Sequence, residues 1–268
     1  MSRRLGQHFL EDKAAARAIV AAAGLRECDA VLEIGPGRGA ITGIIAESAG
    51  DLAAVELDES LCRLLERKFA RRKNVRIVRG NFLDAEFDRI FPGGADKVKV
   101  LGNIPYYITS PILEKLFGWR NKLDSIVLTV QKEVAERMCS GPGSKRYGAL
   151  SVFVGSNATA EIVAELGREC FSPPPDVDSA VVRLAVRENT PVAEDEREFF
   201  SRFVKSMFAQ KRKMVHNALQ RAARLEKDEA GLLLEDCGIE GTLRPERLSV
   251  EQYAFLFKKV TEKKGENY

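Results

Sequence analysis

A chain of 268 residues, 45% of them apolar, can bury a large core, which excludes wholesale disorder. No apolar run reaches the ~20 residues a membrane-spanning helix needs, and five scattered cysteines without a CxxC, beside only two histidines, exclude a disulfide framework, a zinc site and a His-rich metal centre. The net charge is only +3 but unevenly placed: residues 63–79 hold eight cations against Glu66 alone, and residues 211–224 hold five and no acid, a pattern that fits a polyanionic partner.

The first ten residues are too short and too polar for a signal peptide, and the expectation is a soluble, cytoplasmic, monomeric protein. Short runs rich in β-branched residues at 30–34, 52–57, 75–78, 98–101 and 126–130 predict buried parallel strands. Helical patterns fall between them at 40–49, 59–72 and 111–117, the second capped by Asp58 and the third opened by Ser110 and Pro111. This alternation predicts a doubly wound α/β sheet. Residues 150–154 and 180–186 predict two more strands, with a stiff proline run after Phe171 between them. The Gly, Pro and Ser content of residues 139–148 predicts a mobile loop. Beyond Glu188 the pattern is helical, at 196–208, 212–224, 227–237 and 250–260, and residues 262–268 read as a frayed tail. A boundary at 189–195 gives an α/β domain, 1–189, and a small all-helical domain, 190–268.

Four features carry chemistry. Gly35-Pro36-Gly37-Arg38-Gly39, after a strand and before a helix, allows a tight turn and close backbone approach to a ligand. It satisfies both the dinucleotide fingerprint and the GxGxG of S-adenosylmethionine enzymes. Glu56, ending the second strand, can accept from both hydroxyls of a ribose. Asn103-Ile104-Pro105-Tyr106, ending the fourth strand, separates the two readings. An exocyclic adenine amine is a poor nucleophile because its lone pair is delocalised into the ring. Two acceptors, the Asn103 side-chain oxygen and the Ile104 carbonyl, favour a more tetrahedral nitrogen and stabilise its developing positive charge. Pro105 stiffens the turn and Tyr106 can stack on the base. Phe171, held on stiff chain, can close the other face of that base.

With these in place the chain resembles the ribosomal RNA adenine dimethyltransferases, the KsgA family, over nearly its whole length. Gly6 to Leu10 (GQHFL) looks like the family's N-terminal block that closes over the cofactor, and 33–42 like its EIGPGxGxLT loop. Residues 131–135 with 147–151, then 171–181 (FSPPPDVDSAV), then 208–213 (FAQKRK) with 217–219, look like later blocks. The resemblance implies a Rossmann-like S-adenosylmethionine-dependent methyltransferase sheet with a small helical C-terminal domain. It implies cofactor contacts from Gln7, His8, Leu10, Gly35, Gly37, Glu56, Leu57, Asn81, Phe82 and Asn103. It implies a target adenine held by Asn103, Ile104, Pro105, Tyr106 and Phe171, and RNA contacts from Lys211, Arg212, Lys213 and Arg221. The substrate so implied is small-subunit (16S) ribosomal RNA, in a pre-30S-like particle, with two methyls added to N6 of each of two adjacent adenines near its 3′ end. Two departures stand out. Asn81 occupies the place of the family's usual acid for the cofactor's adenine amine, with Asp84 as an alternative acceptor, and the basic helix reads Lys211-Arg212-Lys213 where paired arginines are common. Three other readings remain: a large-subunit methylase of the antibiotic-resistance type, a non-enzymatic transcription factor on the same fold, and a nicotinamide oxidoreductase.

Overall fold

The computed structural model describes residues 8–105, 108–209 and 213–265. A two-residue strand, β1 (Phe9–Leu10), leads into α1 (Lys13–Ala22), which starts where the Asp12 carboxyl accepts the Ala15 N–H at 2.6 Å. There follow β2 (Ala30–Ile34), α2 (Thr42–Ser48), β3 (Asp51–Glu56), α3 (Glu59–Phe69), β4 (Val75–Arg79), α4 (Phe87–Ile90), β5 (Val98–Asn103), α5 (Thr109–Gly118), β6 (Leu123–Gln131), α6 (Lys132–Met138) and α7 (Ala149–Gly155). The chain ends with β7 (Ala158–Leu166), β8 (Phe171–Ser172), β9 (Ser179–Val186), α8 (Arg197–Phe208), α9 (Val215–Ala223), α10 (Lys227–Asp236) and α11 (Val250–Gly265).

The seven-stranded sheet has the order β4-β3-β2-β5-β6-β9-β7. The first five are mutually parallel, and β9 runs antiparallel to β6. The order reverses at β2, so the carboxyl ends of β2, β3, β4 and β5 frame a crevice, where ligands of such sheets bind. The Asp58 carboxyl accepts from Ser60 N and Leu61 N, as the sequence predicts for the start of α3. Ser110 does not cap α5. The helix begins at Thr109, two residues before Pro111, with Ile108 in the cap position.

Two compact units result, Met1–Ala135 with Ala160–Val186, and Glu136–Thr159 with Arg187–Tyr268. The second has its own core, including Tyr147, Val152, Phe200, Phe203, Met207 and Tyr253. The unit limit at 186/187 lies close to the predicted boundary, but residues 136–159 join the helical unit, which a single boundary does not allow.

Residues 150–154, predicted as a strand, are a correction: they lie within α7. The Ser151 hydroxyl accepts the Gly148 N–H at 3.1 Å, and Val152 packs into the helical core. A short apolar run does not distinguish strand from buried helix by periodicity alone. The preceding loop is tied down, with Gly143 N–H donating to the Glu246 carbonyl at 2.7 Å and Arg146 paired with Glu136. Among the described residues no helix is long and apolar enough to cross a membrane.

Candidate active site

The glycine loop leaves β2 with Gly35, Gly37 and Gly39 all at positive φ, +67°, +59° and +76°. At Gly37 the need for glycine is double, because a Cβ there would come within 3.2 Å of Phe9 Cδ1. Phe9 is held over the loop by β1, and the Arg38 guanidinium carbon lies 4.4 Å from its ring centroid while pairing with Glu11. Glu56, at the end of β3, is buried rather than solvent-facing. Its Oε2 accepts the Gly37 N–H at 3.0 Å and its Oε1 the Asp58 N–H at 2.9 Å. Two backbone donors therefore fix the carboxyl in place, and each oxygen of this crevice-lining residue keeps a further lone pair.

β5 brings in Asn103. Its Nδ2 donates to the His8 carbonyl at 3.3 Å, and its Oδ1 has no partner among the described residues. His8 in turn has Nδ1 2.7 Å from the Pro173 carbonyl, and β1 pairs with β8 in the register Phe9↔Ser172 and Leu10↔Phe171. Segments more than 160 residues apart, His8–Leu10 and Phe171–Pro173, thus form one ribbon that orients the Asn103 amide. The whole crevice encloses about 1170 Å³, part of it open to solvent, and is lined by His8, Leu10, Gly35, Gly37, Glu56, Leu57, Asn81, Phe82, Asn103, Ile104 and Pro105 of the predicted residues.

Phe171 is not among them. It is 3% exposed and packs in the core with Leu10, Leu166 and Val181. Its strand pairing with Leu10 accompanies a ring buried in the core, away from the crevice wall. Gln7 and Tyr106 lie outside the described residues, as do Lys211 and Arg212.

Sequence reasoning passed over Glu33, which also lines the crevice. Its Oε1 accepts from the Thr42 hydroxyl at 3.0 Å, and its Oε2, wholly buried, has no partner among the described residues. Burial pushes its carboxyl up to about 8, against the Thr42 hydrogen bond and with a further push from the charge of Glu56. The signal was an acid in a buried strand, hidden because it reads as the first letter of a glycine motif.

A model of the family described as ribosomal RNA adenine dimethylase matches residues 1–262. The chain belongs to this family. It is 38% identical to the ribosomal RNA small subunit methyltransferase A of Lachnoclostridium phytofermentans, over 97% of this chain and 92% of that one. It is 41% identical to the protein of that name from Moorella thermoacetica, over 94% and 89%. Among solved structures, a dimethyladenosine transferase from Plasmodium falciparum superposes with a TM-score of 0.83 at 25% identity, covering 96% of this chain and 98% of that one. The 23S rRNA methyltransferase ErmE superposes at 0.72 with 26% identity, covering 94% and 99%. The protein is an S-adenosylmethionine-dependent ribosomal RNA adenine dimethyltransferase of the small-subunit kind, and the large-subunit, oxidoreductase and non-enzymatic readings are set aside.

The dimethylase crevice fits its cofactor in kind. The glycine cradle is too tight for a side chain at Gly37 and Gly39, Glu56 offers acceptors for a ribose, and Leu57, 57% exposed, offers a bare apolar wall. The first basic block is less free than its composition predicts. Arg63, Arg72, Arg76 and Arg79 pair with Glu59, Glu47, Asp51 and Glu66, and Lys68 donates to the Arg38 and Gly39 carbonyls. Three of those acids, Glu47, Asp51 and Glu59, lie before the window in sequence. In the second block Lys213 and Arg221 are exposed and pair with no acid among the described residues.

Proposed function

We propose that this dimethylase adds two methyls to N6 of each of two adjacent adenines near the 3′ end of small-subunit ribosomal RNA. We place it in the cytoplasm, acting as a monomer on a partly assembled particle. The observation that carries the adenine chemistry is Asn103 Oδ1 at a strand end, without a partner among the described residues, its amide held by the His8 carbonyl.

When bound, S-adenosylmethionine supplies an electrophilic methyl on a sulfonium. Glu56 accepts from the ribose hydroxyls, and its two backbone donors keep it from turning away. Asn103 Oδ1 and the Ile104 carbonyl accept the two N–H groups of the target amine. Because both acceptors are placed beforehand, they stabilise the positive nitrogen without reorganising as methyl transfer proceeds. Pro105 fixes the turn, and Tyr106 is the aromatic proposed to stack on the base. The protonated product amine sheds its proton readily, so no strong base is needed. Lys213 and Arg221, with Lys211 and Arg212, supply phosphate contacts. A loop adenine is extruded at lower cost than a paired one, which favours a structured RNA with an unpaired target.

The test offers unmodified small-subunit particles and large-subunit RNA together, with labelled cofactor, and maps the label by mass spectrometry. Four methyls on two neighbouring small-subunit adenines are expected. Label confined to large-subunit RNA overturns the substrate assignment, and one methyl per adenine overturns the dimethylation.

A further inference from the structure

In the strand order β4-β3-β2-β5, the ribose acceptor Glu56 ends β3 and the amine acceptor Asn103 ends β5. A nucleoside anchored at β3, with its sulfonium arm reaching past β2 toward β5, puts its base on the opposite side, at the end of β4. There Leu57, Asn81 and Phe82 line the crevice. The turn carrying Asn81 and Phe82 is held by packing and a hydrogen bond. Phe82 is 5% exposed with its ring edge-on to Trp119 at 5.5 Å, and Lys115 Nζ donates to the Leu83 carbonyl at 2.8 Å.

The Asn81 side chain is set by two neighbours. Its Oδ1 accepts the Leu83 N–H at 3.1 Å, and its Nδ2 donates to Asp84 Oδ2 at 2.8 Å. Turning the amide over would set its NH2 against an N–H donor and its oxygen against a carboxylate, so both neighbours enforce one orientation. An amide in that orientation has a second lone pair on Oδ1 for a 6-amino group, which a carboxylate would offer regardless of rotation.

We propose that Asp84 is a positioning residue for cofactor selection: it locks the Asn81 amide with oxygen presented, so that a neutral side chain reads the 6-amino group of the cofactor's base. The proposal rests on the cofactor placement given above. Asp84 itself is exposed and does not line the crevice, so it acts through Asn81.

The experiment compares the binding of S-adenosylhomocysteine and S-inosylhomocysteine by calorimetry. The second carries a 6-oxo group, an acceptor facing an acceptor. The parent should prefer the adenosyl ligand. Asp84→Ala, which leaves only the Leu83 N–H to hold the amide, should cut that preference roughly tenfold, the size of one hydrogen bond to a charged group. The exchange Asn81→Asp with Asp84→Asn should restore it, because a carboxylate at 81 has no amide to turn. Inosine also alters N1, but that contribution is common to every variant and cancels between them. A site that merely needed Asp84 for its shape would weaken both ligands equally. Parental preference in both Asp84→Ala and Asp84→Asn, or an exchange that binds without discriminating, overturns the proposal. A parent that fails to bind S-adenosylhomocysteine overturns the cofactor placement instead.

Discussion

The two ends of the parallel sheet treat buried polar groups in opposite ways. At the amino end, Asp29 sits beside Lys99 of β5, whose Nζ lies 2.9 Å from Oδ2 and also donates to the Gly24 carbonyl. Arg26 adds its backbone N–H and its guanidinium to the same carboxyl. Burial alone would raise the Asp29 pKa, but the Lys99 ammonium and the Arg26 donors outweigh it, and the carboxyl lies below its usual range. At the carboxyl end, Glu33 Oε2 and Asn103 Oδ1 have no partner among the described residues. Satisfied polar groups hold the sheet together. Glu33 and Asn103 line the crevice, where a ligand would complete them, whereas the hydroxyl of Thr129 on β6, also without a partner among the described residues, does not reach its wall.

Lys99→Met tests the first half. It leaves Asp29 buried without its main counter-charge, and removing one partner of a buried pair costs roughly 3–5 kcal/mol. Chemical denaturation should show that loss, while S-adenosylmethionine affinity well below the melting transition stays parental. Asn103→Ala tests the second half and should behave in the opposite way. Stability should hardly change, while single-turnover methyl transfer falls on the order of 100-fold, as removal of one preorganised group at developing charge does. If Asn103→Ala unfolds the protein, or Lys99→Met destroys turnover without destabilising it, the division between the two ends is wrong.

The sheet was largely legible because its strands are continuous apolar runs and its loops carry glycine and capping residues. Asp58, Gly35, Glu56 and Asn103 all stand where pattern reasoning put them. Two failures have physical causes. The strand β7 alternates strictly, with Thr159, Glu161, Val163 and Glu165 outward, yet Ala and Glu are weak strand formers and the period was passed over. Stiff backbone at Phe171 suggests a ring at the crevice wall, and the ring lies in the core instead. Which way that backbone turns the ring is decided by pairing with Phe9 and Leu10, a contact remote in sequence. The tie from Asn103 to His8 was illegible for the same reason, since neither residue type nor spacing encodes it.

Glu33 gives a pH-dependent form of the comparison. Its folded-state pKa, about 8, lies above the ordinary 4.5 of an unfolded chain. Below pH 4.5 the group is protonated in both states and its contribution to stability is fully present. Between pH 4.5 and 8 the unfolded chain releases the proton and the folded one keeps it, so this contribution is lost as pH rises. Glu33→Gln removes that linkage. Measured without cofactor, its stability relative to the parent should grow by up to about 1.4 kcal/mol for each pH unit across this window and level off above it. Parallel pH profiles for the two proteins would mean that the orphaned carboxyl is stabilised by something other than its proton.

The same contrast extends to the surface, where its effect is smallest. Arg79 holds Glu66 through two hydrogen bonds, at 2.6 and 3.0 Å. Lys213 is exposed in an acid-free stretch and pairs with no acid among the described residues. If unpaired charge marks the RNA surface, the two cations should differ although both belong to basic blocks. Lys213→Ala should weaken binding of small-subunit RNA and lower the slope of log affinity against log salt by about one, the signature of one lost phosphate contact. Arg79→Ala should leave that slope at the parental value, because its charge is already neutralised within the protein, and exposed pairs of this kind are worth at most about 1 kcal/mol of stability. A slope reduced by Arg79→Ala and unchanged by Lys213→Ala would move the RNA surface to the first block and show that internal pairing there gives way to phosphate on binding.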